Sequence, residues 1–245
     1  MLVRITNSCS MNCSHCMIGA TPDGEHMSFE TFSDALEFSS KYDPLLLFIS
    51  GGEPTDHPKF IDFIKLAKVY QQKNGIIMIL VASNGLFLEN EEYSKEILSL
   101  GVHFQITNDP RYYPRRVKKI DHPNVVYEDT IRLLSPMGRA VTNNLPIQRQ
   151  SPQCFNFRSA CDHYQDVGVA IKHLRTLPNP KMCCPSINAD GSISMGESSS
   201  CYKIGSVKST RKELIDNVTA MKCGKCGTYK NLSGIPKDKW ESWER

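Results

Sequence analysis

The first half of the chain alternates short, continuous apolar runs with amphipathic segments. The apolar runs lie at residues 2–6, 45–50, 76–83 and 102–107. The amphipathic segments, whose apolar positions follow a helical period, lie at residues 28–42, 58–72 and 90–100. Continuous apolar strands separated by helices indicate a parallel sheet that is covered by helices. Right-handed crossovers then give a full or partial (β/α) barrel or an open doubly wound sheet.

The second half of the chain has a less regular pattern. Residues 125–128 and 167–176 are candidates for further barrel elements. From about residue 180 the sequence pattern changes. Residues 187–195 predict a hairpin around an Asp-Gly pair, and residues 209–221 predict a helix. These patterns favour a larger core followed by a smaller C-terminal region.

The overall composition is that of a soluble globular protein. The chain has 245 residues, enough for one large domain or one domain with a small appendage. Its net charge of +3 is too small to indicate nucleic-acid binding by itself. No apolar run approaches the length of a membrane-spanning helix, and the N-terminus lacks the features of a signal peptide. We therefore expect a cytoplasmic protein with no membrane partner.

The cysteine content is unusual for such a protein. There are ten cysteines, and in a reducing compartment these are more often metal ligands than disulfides. Three of them, Cys9, Cys13 and Cys16, lie within the first sixteen residues. The other seven follow after a long gap, at Cys154, Cys161, Cys183, Cys184, Cys201, Cys223 and Cys226. This distribution predicts two separate metal-binding regions.

The opening cysteines have the spacing C-x3-C-x2-C directly after the first predicted strand. Structural zinc and a fully held iron–sulfur cluster take four protein ligands. Three cysteines on a 4Fe–4S cluster would leave one iron open for a substrate or cofactor. A zinc site or a surface cysteine cluster is the alternative that these residues leave open.

This arrangement resembles the radical S-adenosylmethionine (radical SAM) superfamily, which carries C-x3-C-x2-C after the first strand of a partial (β/α)6 barrel. The resemblance implies that Cys9, Cys13 and Cys16 hold a 4Fe–4S cluster. It also implies that the amino and carboxylate groups of SAM chelate the fourth iron, and that one electron cleaves SAM to methionine and a 5′-deoxyadenosyl radical. The family usually has an aromatic residue before the third cysteine, where this chain has His15.

A second motif follows the second predicted strand. Gly51, Gly52, Glu53 and Pro54 are similar to the GGEP motif of the same family, which contacts the amino group of SAM. The two glycines let the backbone approach a ligand closely, and Glu53 adds an acceptor at the end of the strand. By itself, this stretch could equally be a glycine-rich turn.

Weaker similarities follow at the ends of later strands. Ser83 and Asn84, in "ASNG", resemble the family's TNG turn, and the resemblance implies that they bind the SAM cofactor. Thr107 and Asp109 match the positions that the family often places near the SAM ribose, and ordinary turn residues are the alternative. Arg139, in "SPMGRA", resembles a family segment and would pair with the SAM carboxylate, unless it is a surface arginine.

The C-terminal cysteines resemble the "twitch" or SPASM extension that holds auxiliary clusters in some radical SAM enzymes. The resemblance implies one auxiliary 4Fe–4S cluster, with two as a further possibility. The implied ligands are Cys183 or Cys184, Cys201, Cys223 and Cys226. A zinc knuckle of four thiolates is the alternative. The predicted fold is therefore a partial (β/α)6, TIM-like barrel over residues 1–150, ending no later than about 180, with a cysteine-rich extension over residues 181–245.

The resemblance implies an oxidoreductase that abstracts hydrogen from a substrate C–H bond, with an electron donor such as flavodoxin or ferredoxin. Crosslinking, oxidation or epimerisation of a ribosomally made peptide is the expected reaction. The alternatives are a dehydrogenase or other modifier of a small molecule, such as an alcohol or amino sugar, and a non-catalytic zinc or iron–sulfur protein. The basic stretch 110–119 suits an acidic peptide, a phosphorylated molecule or RNA, but a solvated loop is favoured and nucleic acid is not expected.

Overall fold

The computed structural model describes residues 1–131, 134–135, 137–147, 154–176, 185–196 and 201–221. The first 131 residues contain β1 (Leu2–Thr6), α1 (Phe29–Tyr42), β2 (Leu46–Gly51), α2 (Phe60–Lys73), β3 (Met78–Ser83), α3 (Glu91–Ser99), β4 (His103–Thr107) and β5 (Val125–Glu128). The later elements are α4 (Arg139–Thr142), α5 (Cys154–Tyr164), α6 (Val167–Thr176), β6 (Ser186–Ile187), β7 (Ser192–Ser194), β8 (Lys203–Ser206) and α7 (Arg211–Thr219).

The strands form one sheet in the order β5-β4-β3-β2-β1-β6-β7-β8. Neighbours from β1 to β5 are parallel and follow chain order, and β6 adds a further parallel partner on the other edge of β1. The last two strands, β7 and β8, run antiparallel to their neighbours. The sheet is mostly parallel and unclosed across the described strands. This confirms the predicted α/β fold of the partial-barrel type.

The main core lies between the sheet and its covering helices. On β1, Val3 and Ile5 are fully buried on the helix side, whereas Leu2 and Arg4 face the opposite side, towards the interior of the partial barrel. Helices α1 and α2 meet through a stacked pair of rings, Phe32 and Phe63, whose centroids are 4.2 Å apart. These helices form because their apolar positions recur at helical spacing and so bury one continuous face.

Local sequence signals set several helix ends and turns. The hydroxyl of Ser28 accepts the Thr31 backbone N–H at 3.0 Å and so caps the N-terminus of α1. The predicted hairpin is also present, because β6 and β7 pair across a turn in which Gly191 has φ +78°. Thr210 and Glu213 form a capping box at the start of α7. Within the described residues, no helix is both long enough and apolar enough to span a lipid bilayer.

Candidate functional site

The three opening cysteines lie on a loop that begins where β1 ends. Cys9 and Cys13 are buried and Cys16 is half-buried. The loop folds back along the strand end, because the backbone N–H of Cys9 donates to the carbonyl of Thr21 at 2.9 Å. The parallel strands β1 to β4 all end at this edge of the sheet, so the loop lies where their C-terminal ends converge.

Amide groups surround the sulfur atoms. The backbone N–H of Met11 donates to Cys9 Sγ at 3.4 Å, and that of Ala20 donates to Cys16 Sγ at 3.4 Å. The side-chain amide of Asn84 also donates to Cys9 Sγ, at 3.7 Å. These donors favour a thiolate over a thiol, which is the form that binds metal.

Burial opposes ionisation of the same thiols. It raises the pKa of Cys13 to about 12, with further contributions from neighbouring Cys9 and Cys16, and it raises the pKa of Cys9. A bound metal would supply the positive charge that such buried thiolates need, and its binding would release protons. In the described part of the chain, no three His, Cys, Asp or Glu side chains are grouped closely enough for a single ion. Zn–S bonds of about 2.3 Å require such close grouping, whereas a cluster spreads its thiolates over several irons.

Gly51 and Gly52 bring the end of β2 against the cysteine loop. The N–H of Gly52 donates to the Thr6 carbonyl at 2.7 Å, and the N–H of Glu53 donates to the Ser8 carbonyl at 2.8 Å. A Cβ on Gly51 would lie 2.5 Å from the Thr6 oxygen, and one on Gly52 would overlap the Ser8 carbonyl. This close approach therefore requires glycine at both positions.

Glu53 acts within the protein rather than towards the cleft. Its carboxylate is fully buried and accepts the backbone N–H and hydroxyl of Thr55, the hydroxyl of Ser83 and the backbone N–H of Asn84. Burial raises the pKa of Glu53 to about 7, although these hydrogen bonds act in the opposite direction. Neither Glu53 nor Pro54 lines the cleft, so Glu53 instead ties the end of β2 to the end of β3.

A cleft of about 230 Å³ opens above the strand ends. Nine of the residues expected to bind the cluster or SAM line it: Cys9, Cys13, Cys16, Gly51, Gly52, Ser83, Asn84, Thr107 and Arg139. Its walls are completed by residues that point into the partial barrel or lie above it, including Leu2, Arg4, Phe48, Ser50, Ala82 and Tyr113. The structure thus brings together sequence motifs from four consecutive strands and from a segment that follows β5.

Arg139 lines the cleft and also braces the cysteine loop. Its Nε donates to the Cys13 carbonyl at 2.8 Å and one terminal nitrogen donates to the Ala20 carbonyl at 2.9 Å. The Arg139 backbone N–H donates to the Cys16 carbonyl at 2.9 Å. Gly138, with φ +56°, fits against the same loop because a Cβ there would overlap the carbonyl oxygens of Cys16 and Met17.

Asp109 does not line the cleft. It is 1 % exposed and forms an ion pair with Arg111, whose Nη2 lies 2.5 Å from Oδ2, and it also accepts the backbone N–H of Ile131 at 2.8 Å. The hydrogen bonds from Arg111 hold the pKa of Asp109 well below its usual range. An aspartate two residues before an arginine has this local partner available, and it turns away from the ligand position expected from the sequence.

Three of the five basic side chains in residues 110–119 form ion pairs. Besides Arg111, Arg115 pairs with Glu89 at 2.7 Å and Lys119 pairs with Asp129. This favours the interpretation of residues 110–119 as a solvated structural loop.

Several cleft residues were not predicted from the sequence. Arg4 is 2 % exposed and donates to Asn188 Oδ1, which links β1 to the C-terminal hairpin. His15 lies between the rings of Tyr112 and Tyr113, with both centroid distances at 5.2 Å. The position of Arg4 could have been found from the alternation of side chains between the two faces of β1, since Arg4 lies on the same face as Leu2.

The later cysteines contribute little to the described site. Cys161 is fully buried in the main core, and Cys201 is half-buried just before β8 and does not line the cleft. The remaining predicted ligands, Cys183, Cys184, Cys223 and Cys226, lie outside the described residues.

Comparisons with known proteins agree with the geometry. One curated relative is 7,8-dihydro-6-hydroxymethylpterin dimethyltransferase from Methanocaldococcus jannaschii, which is 26% identical over 58% of this chain and 31% of the relative. Another is the tungsten-containing aldehyde ferredoxin oxidoreductase cofactor-modifying protein from Pyrococcus furiosus, which is 31% identical over 42% of this chain and 28% of the relative. The chain thus spans about a third of the length of these relatives.

The fold is similar to a solved structure described as native anSMEcpe with bound AdoMet and Cp18Cys peptide. The TM-score is 0.52, at 14% identity, and the match covers 88% of this chain and 79% of that one. The family model of the radical SAM superfamily matches residues 3–152, which is more than half of the chain and includes every cysteine, glycine and arginine just placed around the cleft. The chain therefore belongs to the radical SAM superfamily.

Proposed function

We propose that this protein cleaves SAM reductively in the cleft and uses the product to activate a substrate C–H bond. Members of the superfamily use a 4Fe–4S cluster and SAM. When bound, these supply a 5′-deoxyadenosyl radical, so the difficult chemistry belongs to the cofactors and the protein positions them. The observation that carries the proposal is that Cys9, Cys13 and Cys16 line the same cleft as the Gly51-Gly52 turn.

In this proposal each group around the cleft has a definite task. The thiolates of the three cysteines hold the cluster, and nearby amide donors stabilise their negative charge. The backbone at Gly51 and Gly52 receives the amino group of SAM, and Ser83 and Thr107 line the space for the rest of the cofactor. Apolar walls such as Leu2 and Phe48 limit the access of water to the reacting atoms.

The substrate is proposed to be a small molecule, one of the alternatives that the sequence left open. The names of both curated relatives point to small organic substrates, a pterin and an enzyme cofactor. Modification of a ribosomally made peptide has no comparable support, because the structure with a bound peptide is similar only in fold. Measuring S-adenosylhomocysteine beside 5′-deoxyadenosine distinguishes methyl transfer from oxidation, since only methyl transfer from SAM produces the former.

A second, auxiliary cluster is proposed for the C-terminal region, residues 181–245, beside a core of residues 1–150. The support is its cysteine content and the hairpin β6–β7, which pairs with β1 next to the cleft. Iron analysis tests this, because two clusters require about eight irons per chain and one requires about four.

The proposed activity is tested by anaerobic reconstitution followed by an assay for 5′-deoxyadenosine, with dithionite in place of a flavodoxin or ferredoxin donor. Cys13→Ala is expected to abolish both the SAM-binding cluster and SAM cleavage. The matched control is Cys161→Ala, which removes a fully buried thiol from the main core and is expected to leave SAM cleavage intact. Unimpaired cleavage by Cys13→Ala would refute the proposal.

A further inference from the structure

The turn after β3 places a side-chain amide on the sulfur of Cys9. Asn84 is 7 % exposed and lines the cleft, and its Nδ2 donates to Cys9 Sγ at 3.7 Å. The other end of this amide fixes its orientation, because the Leu86 backbone N–H donates to Oδ1 at 2.9 Å. The donor end of Asn84 is therefore the end that faces the sulfur.

Glu53 holds this turn in place. The backbone N–H of Asn84 donates to Glu53 Oε2 at 2.7 Å, and the hydroxyl of Ser83 donates to Oε1 at 2.8 Å. Glu53 itself is fully buried and follows β2, which is the neighbour of β3 in the sheet. The carboxylate thus fixes the turn from the adjacent strand, and Asn84 has little freedom to leave the sulfur.

Hydrogen bonds to ligand sulfurs are one of the means by which proteins set the reduction potential of iron–sulfur clusters. One-electron reduction adds negative charge to the cluster and its thiolates, so an N–H donor stabilises the reduced state more than the oxidised state. The donors from Met11 and Ala20 are backbone groups that a substitution does not remove. Asn84 is the side-chain donor to these sulfurs in the described part of the chain.

We propose that Asn84 is a positioning residue that hydrogen-bonds the Cys9 thiolate and thereby raises the reduction potential of the cluster. The inference rests on the proposed function, because it requires Cys9 to be a cluster ligand. It gives Asn84 a role in electron uptake that is separate from the SAM contact expected from its sequence motif.

The test is a reductive titration of the reconstituted cluster, monitored by electron paramagnetic resonance in the absence of SAM and substrate. Two variants remove the donor in different ways. Asn84→Asp retains an acceptor for the Leu86 N–H, and Asn84→Ala adds no charge. In both, the ratio of reduced to oxidised cluster at a fixed potential should fall about three- to tenfold, and tenfold corresponds to about 59 mV for a one-electron couple.

Asn90→Ala is the matched control. The Asn90 side chain is exposed and caps α3 by accepting the Tyr93 N–H at 3.0 Å, so its loss weakens the fold without removing a donor to sulfur. Its midpoint potential should equal that of the wild type. Because the charge added by Asn84→Asp lowers the potential by itself, the inference is overturned if Asn84→Ala keeps the wild-type potential, or if Asn90→Ala shifts the potential as much as Asn84→Ala does.

Failure of the proposed function would show earlier and differently. The proposed function is contradicted before any potential is measured if the wild-type protein takes up no iron, or if the Cys13→Ala variant still cleaves SAM. An unchanged potential in fully loaded Asn84 variants contradicts only the role of Asn84. Should one of the two variants fail to assemble a cluster, the other supplies the comparison.

Discussion

Replacing Gly52 with alanine tests whether the glycine turn is required for packing against the cysteine loop. The added methyl group would overlap the Ser8 carbonyl and come within 3.0 Å of Cys9 Cβ, so the loop or the turn must move. Overpacking of this kind costs about 1–3 kcal/mol. The two backbone hydrogen bonds that join Gly52 and Glu53 to residues 6–8 would weaken as well, at about 1 kcal/mol each. We expect a total loss of about 3 kcal/mol or more.

The same displacement moves Cys9, which carries the first of the three thiols. Second-sphere changes at metal sites typically reduce metal affinity by about 10- to 100-fold, and we expect SAM binding to fall with the loss of the cluster. Urea unfolding of the apoprotein measures the stability, and iron analysis with equilibrium dialysis against SAM measures the site.

Gly75→Ala is the matched control for this substitution. Gly75 has φ +77° with open space around the added Cβ, so alanine there brings backbone strain of about 1–2 kcal/mol without touching the loop. It should therefore destabilise the chain and leave iron content unchanged. If Gly52→Ala retains full iron and SAM binding with no larger loss of stability than Gly75→Ala, the packing argument is wrong.

Three further predictions concern side chains that stabilise the fold or the cysteine loop. Burial raises the pKa of Glu53 from 4.5 to about 7. The stability contributed by its proton is therefore complete below pH 4.5 and is lost as the pH rises through 7. Relative to the non-titrating Glu53→Gln variant, the wild-type free energy of unfolding should fall by about 3 kcal/mol over this range in chemical denaturation. Arg139→Gln removes side-chain donors from two carbonyls of the cysteine loop and should lower iron retention against a chelator, whereas equal retention would show that the loop does not need this brace. Thr210→Ala breaks the capping box with Glu213 and should cost about 1 kcal/mol without changing iron content, so a loss of iron would contradict its purely structural role.

The strongly periodic elements of the fold could be predicted from sequence because their signals are local. The four apolar runs became β1 to β4, and the amphipathic segments became α1 to α3. Three later elements, the single-turn helix α4, helix α5 and strand β8, were missed. Helix α5 buries Phe157 and Cys161 against neighbouring helices, and β8 buries Ile204 through its pairing with β7, so both depend on tertiary contacts more than on local pattern.

The candidate site shows a similar division. Position along the chain was enough to place most motif residues around one cleft, because parallel strands end at the same edge of a sheet. The motifs did not show whether each side chain points into the cleft or towards a neighbouring part of the protein. Glu53 and Asp109 each stand at a strand end, but Glu53 turns to the neighbouring strand and Asp109 turns to Arg111, since these partners supply hydrogen bonds to their buried carboxyl oxygens.

The contacts that complete the opening loop come from residues far downstream. Arg139 reaches back 126 positions to the Cys13 carbonyl, and β6 joins β1 across more than 180 residues. During synthesis the cysteines leave the ribosome long before these partners exist, and contacts of such high sequence separation form slowly. The opening loop therefore lacks these contacts until most of the chain has been translated. We therefore expect stable cluster insertion to follow the folding of these downstream segments.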